Sequence, residues 1–129
     1  MVRRVARTRN ANTMTEAEYW GRVRSALRKT FAYWQPAQEA VKQAEYGTRT
    51  NPETGRQKKV YRCAVCGLAN FREEMHIDHI DPCGSLRSAA DIAPFLERLT
   101  CEDGSKYQLL HKTCHQAKTN EGRKVNDGV

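Results

Sequence analysis

The residues able to do chemistry lie in the second half of a 129-residue chain. Asp78 and His79 are adjacent, and two pairs of soft metal ligands flank them: Cys63-x-x-Cys66 upstream and His111-x-x-Cys114 downstream, followed at once by His115. Zinc prefers four tetrahedral nitrogen or sulfur ligands, so a single C-x-x-C is half a site. Each pair offers two donors at matching spacing, and together they make a Cys3His set of Cys63, Cys66, His111 and Cys114. Gly67 permits the tight turn that aims both upstream sulfurs at one point. An alternative closes the site with Cys101 or Cys83 in place of His111, although neither has a partner at ligand spacing. A carboxylate beside an imidazole, framed by such a staple, is what metal-assisted hydrolysis of a phosphodiester requires.

The elements that must position these residues are short. Residues 75–82 (MHIDHIDP) alternate apolar and polar side chains, as a half-buried strand does. Met75, Ile77, His79 and Asp81 then share one face, and His76, Asp78 and Ile80 the other. Asp78 and His79 can serve one site only if the strand bends or ends there, and Pro82 favours an early end. His76 is read as a solvent-facing strand residue. Residues 60–62 form a short strand leading into the knuckle. Residues 85–100 read as a helix, with a capping box of Ser88 and Asp91 and a stripe of Ile92, Phe95, Leu96 and Leu99.

Three segments carry a resemblance. Cys63-x-x-Cys66, then Asp78-His79-Ile80-Asp81-Pro82, then Leu109-Leu110-His111-x-x-Cys114-His115-x-x-Lys118-Thr119 look like the HNH endonucleases, the phage-encoded members in particular. The likeness covers residues 60–120. It implies an α+β fold with a ββα-metal (His-Me finger) core stapled by zinc, its strands at 75–80 and 107–110 and its helix at 113–121. It implies His79 as general base, Asp78 and His115 as ligands of a catalytic Mg²⁺, Mn²⁺ or other divalent ion, and Lys118 as a phosphate contact. A neutral imidazole with an unperturbed pKa of about 6.5 suits the base role at neutral pH. The family asparagine falls at Lys106 or Tyr107, so another group must orient His79.

The composition fits a polyanionic partner. The net charge is +7, the pI about 9.4, and only 39% of residues are hydrophobic. A core that small benefits from a metal staple. Five cysteines, an odd number, fit metal ligation in a reducing compartment better than a disulfide framework. No apolar run approaches the roughly 20 residues of a membrane span, so the expected location is cytoplasmic, the host cytoplasm for a phage-encoded chain.

The N-terminal third is loaded with basic residues, nine of the 22 lysines and arginines. Residues 1–14 read as a basic disordered arm and 15–46 as a helical hairpin. The first helix has a Thr15/Glu18 capping box and a stripe of Trp20, Val23, Leu27, Phe31 and Trp34; the second begins at Pro36. Arg22, Arg24, Arg28 and Lys29 lie off the first stripe and are candidate phosphate contacts, as are Lys58 and Lys59. Residues 47–59, rich in turn formers, read as a linker between the hairpin and a nuclease domain at 60–124, with 125–129 as a tail. The expected activity is metal-dependent DNA cleavage of low sequence specificity. The rivals are a noncatalytic zinc-stapled DNA-binding module and a phage adaptor that binds packaging proteins.

Overall fold

The computed structural model describes the backbone of residues 4–127 and the side chains of residues 4–121. The fold is mixed α+β, and the chain divides into two compact units, residues 1–34 with 81–102 and residues 35–80 with 103–129. Among the described residues no helix is long and apolar enough to cross a membrane.

In the first unit, β1 (Arg7–Arg9) and β2 (Met14–Thr15) form a small antiparallel hairpin. It occupies part of the segment expected to be a disordered arm. Asn10, Ala11 and Asn12 all take positive φ between them, a turn conformation that asparagine tolerates. Arg9 closes onto the following helix, its Nε donating to Glu16 Oε1 at 2.7 Å and its guanidinium stacking 4.3 Å over Tyr19. That helix, α1 (Glu16–Arg28), starts at the expected capping box, with Thr15 Oγ1 accepting from the Glu18 amide. Trp20 is buried with Leu86, Phe95 and Leu99, and Val23, Leu27 and Phe31 pack against them. The expected stripe from Trp20 to Phe31 is therefore core, shared with the helix that carries Phe95 and Leu99.

The second unit begins with α2 (Gln35–Gln43), which has Pro36 in its first turn. The two helices of the expected hairpin belong to different units. Tyr33 takes φ +57° and ends the first run, and α2 buries Ala37 and Val41 in its own unit, with Val41 in a cluster with Cys63, Met75, Leu109 and Leu110.

A second correction follows in residues 47–59, expected to be a linker. β3 (Glu45–Thr50) and β4 (Gln57–Arg62) form an antiparallel ribbon, and β5 (Ala69–Phe71) pairs with β4 on its other side. The ribbon escaped notice because β3 is exposed along its whole length and shows no apolar alternation. Its turn is closed by Asn51 N–H to Arg56 O (2.8 Å) and Gly55 N–H to Asn51 O (2.7 Å), with Gly55 at φ +72°.

β6 (Met75–His79) and β7 (Tyr107–His111) form an antiparallel pair. Between them in sequence, a single 3₁₀ turn capped by Ser88 and Asp91 leads into α3 (Ile92–Leu99) of the first unit. α4 (Lys112–Asp127) follows β7 without a break, so its backbone runs through most of the expected tail. Residues 128 and 129 of that tail lie outside the described residues.

Candidate metal centre and the Asp78 cluster

The knuckle forms because Cys63 is held by backbone bonds on both sides. Its amide donates to Leu68 O (2.9 Å), its carbonyl accepts from Gly67 (3.0 Å), and the Ala64 amide reaches Leu109 O on β7 (3.0 Å). Gly67 takes φ +75°, the left-handed turn expected of it. Two more amides, of Cys66 (3.5 Å) and His111 (3.3 Å), donate to Cys63 Sγ. Cys114, in the first turn of α4, completes a group of three sulfurs that all lie within 4.8 Å of one another. Tetrahedral zinc with Zn–S bonds of about 2.3 Å needs sulfurs only a little closer than that.

The electrostatics also suit a cation. Burial raises the Cys63 thiol, but hydrogen bonds from the backbone of Cys66, His111 and Val65 and from the Cys66 side chain outweigh it and bring it down to about 7. Cys114 is pushed up to about 11, first by desolvation and then by the sulfurs of Cys66 and Cys63. Three thiolates at this spacing repel one another, and a bound cation removes that penalty. Three soft sulfur donors fit zinc.

His111, the expected fourth ligand, is not in the group. Its Nδ1 lies 2.6 Å from Thr113 Oγ1. Neither alternative ligand joins the group either. Cys83 packs at the edge of the first unit's core, and the Cys101 carbonyl accepts the Trp34 indole N–H at 2.7 Å.

Beside the knuckle, β6 and α4 build a second cluster. Asp78 is 4% exposed, the one buried charged side chain among the described residues. Its Oδ2 accepts from Lys118 Nζ (2.6 Å) and from Gln108 Nε2 (2.8 Å), its cross-strand neighbour. His115 Nε2 stands 3.5 Å from Oδ1. The Lys118 ammonium also donates to the carbonyls of His79 (3.0 Å) and Ile80 (3.3 Å). Lys118, expected to hold phosphate, is thus engaged by a carboxylate and two carbonyls.

Alternation places His76 on the same side of β6 as Asp78, and its Nδ1 lies 3.3 Å from His115 Nδ1. Burial, then the charges of His115, Lys112 and Arg72, hold the His76 imidazole below its ordinary value. His76 is exposed, as expected from the sequence, which did not foresee its contact with His115 and gave Gln108 no role. The two-residue period from Asp78 was the available signal for His76, and the cross-strand register, visible only in the fold, supplies Gln108.

His79 is placed differently. β6 ends at His79, as Pro82 suggested. The imidazole stacks edge-on to Tyr107, its cross-strand neighbour, with centroids 5.1 Å apart. Tyr107, at one of the two positions assigned to the family asparagine, is the group that packs on His79.

The other candidate contacts are partly occupied. Arg24 lies 5.5 Å over the Phe95 ring, Lys58 pairs with Glu73 and Lys59 with Glu45, whereas Arg22 and Arg28 on α1 and Lys29 just after it are exposed. No protein-family model, no curated protein and no solved structure matches the chain.

Proposed function

We propose that the chain is a metal-dependent DNA endonuclease of the HNH type, with β6, β7 and α4 as its ββα-metal core. The observation that carries this reading is the placement of the Asp78 carboxylate and the His115 imidazole 3.5 Å apart, beside the strand end that bears His79. Asp78 Oδ1 and His115 Nε2 would hold a divalent ion such as Mg²⁺ or Mn²⁺. When bound, that ion supplies charge neutralisation at the phosphate and the leaving oxygen. His79 takes the proton of the attacking water, and Tyr107 fixes its ring plane by edge-on packing. Cys63, Cys66 and Cys114 hold a structural zinc, with His111 as fourth ligand once its ring turns from Thr113. The zinc ties the root of α4, and so His115, to the strands.

A noncatalytic zinc-stapled DNA-binding module is the second reading. It draws on the Lys118 ammonium, which already neutralises Asp78. Nicking of supercoiled plasmid with added Mg²⁺, Mn²⁺ or Ni²⁺ separates the two. The expected result is metal-dependent nicking that His79→Ala reduces by about 10²- to 10⁴-fold, with DNA binding retained. Absence of nicking with every metal favours the binding module, and equal nicking by His79→Ala removes His79 as the base.

A further inference from the structure

We propose that the β3–β4 ribbon is a contact surface for duplex DNA, with Arg49 and Arg56 as its phosphate-binding residues. This rests on DNA being the partner and not on hydrolysis. The ribbon stands in water, since all six residues of β3 are exposed. Its outer part, residues 48–57 (TRTNPETGRQ), carries no aromatic side chain and no aliphatic one besides Pro52. A protein-docking surface would need aromatic or apolar anchors, a membrane surface an apolar face, and a single-strand groove stacking rings. Apart from Glu53 and Gly55 in the turn, what remains is threonine, asparagine, glutamine and arginine, the side chains that bond phosphates and base edges. A two-stranded ribbon is also one of the two elements that the major groove, about 12 Å wide, admits.

Two of the charges share one side. Arg49 lies directly opposite Lys58, and Thr50 opposite Gln57. The pairing therefore puts Arg49 and Lys58 on one face, and Arg56 stands in the turn just before β4, its carbonyl accepting from the Asn51 amide. Like charges directly opposite one another destabilise a ribbon. Glu73 relieves Lys58, but no carboxylate among the described residues pairs with Arg49 or Arg56. Anions bound at both would relieve the remainder. The scaffold is already set, because Thr48 Oγ1 donates to Gln57 Oε1 (3.1 Å), Gln57 Nε2 donates to Thr50 Oγ1 (2.8 Å), and the Asn51 side chain accepts from the Glu53 amide (3.1 Å).

The test uses the full zinc-loaded chain, a fluorescent DNA duplex and no added divalent ion, with anisotropy read across a range of NaCl concentrations. Arg49→Ala/Arg56→Ala should bind about tenfold more weakly, and the slope of log K against log salt should flatten by about 1.8, or 0.9 for each phosphate that is no longer neutralised. Arg49→Lys/Arg56→Lys should keep the wild-type slope. Unchanged affinity and slope in the alanine pair, with circular dichroism and zinc content as in the wild type, would overturn the proposal. So would a loss confined to single-stranded DNA. Plasmid nicking is scored separately: its absence in the wild type removes the hydrolytic reading and leaves the ribbon to stand or fall on the duplex titration.

Discussion

At the scale of single residues, the Lys118 ammonium decides what Asp78 can do. The carboxylate is buried, and Lys118 is its nearest charge partner at 2.6 Å. Removing one member of such a pair leaves the other charge poorly solvated. Because Lys118 is itself about one-third exposed, solvent screening reduces the loss, and Lys118→Met should cost about 1–3 kcal/mol in urea unfolding. A divalent cation at Oδ1 and His115 would compensate. Millimolar Mn²⁺ should therefore raise the unfolding midpoint of Lys118→Met more than that of the wild type. Equal shifts in the two proteins would show that ammonium and cation do not compete for Asp78. The sequence made the three cysteines legible, because ligand spacing is a local property, whereas Asp78 and His115 were joined only through the family resemblance. It could not reveal that Lys118 turns back onto Asp78, since alternation assigns a face and not the partner that reaches across it. His79 shows the same limit, because its Tyr107 neighbour is fixed by strand register.

At the scale of elements, a three-sulfur group that could hold a metal ion such as zinc joins a short strand pair to a polar helix. β7 passes directly into α4, and Cys114 in that helix's first turn meets the knuckle sulfurs of Cys63 and Cys66. Cys63 is also in the core with Met75, Leu109 and Leu110, so the candidate metal site and the apolar cluster share a residue. Cys114→Ser should abolish tight zinc binding, measured as zinc per chain after gel filtration, and should destabilise β6, β7 and α4 together. Hydrogen exchange would show this as reduced protection at Ile77, Leu109 and Leu110. A Cys114→Ser chain with one zinc and wild-type protection would rule out the three-cysteine centre. The two strands lie within a residue of where the resemblance put them, whereas α4 runs on to Asp127, past the expected end at 121. The β3–β4 ribbon lacks an apolar period along β3, and its turn residues look the same in a linker as in a hairpin.

At the scale of the whole molecule, the chain passes between its two units after residues 34, 80 and 102. Within the second unit the three crossing points are gathered by a few backbone contacts. Ile80 N–H donates to Lys106 O at 3.0 Å, and Gly104, at the start of the same turn, packs so closely on α2 that a Cβ there would lie 3.1 Å from Pro36 O. A backbone carbonyl in the first turn of a helix cannot rotate away as a flexible side chain can. Gly104→Ala should therefore destabilise the second unit by about 1–3 kcal/mol, the usual range for overpacking. The effect should also reach the first unit, whose segments 1–34 and 81–102 are joined only through residues 35–80. When the second unit unfolds, those residues become a long loop whose closure entropy the first unit must bear alone. Both tryptophans, Trp20 and Trp34, belong to the first unit, so their emission reports on it although the substitution is in the other. The expected result in urea is a lower midpoint for Gly104→Ala by far-UV circular dichroism and by tryptophan emission alike. A tryptophan midpoint that stays at the wild-type value while the dichroism midpoint falls would mean that the first unit stands without the second. Wild-type midpoints by both probes would mean that the Gly104 contact yields without cost.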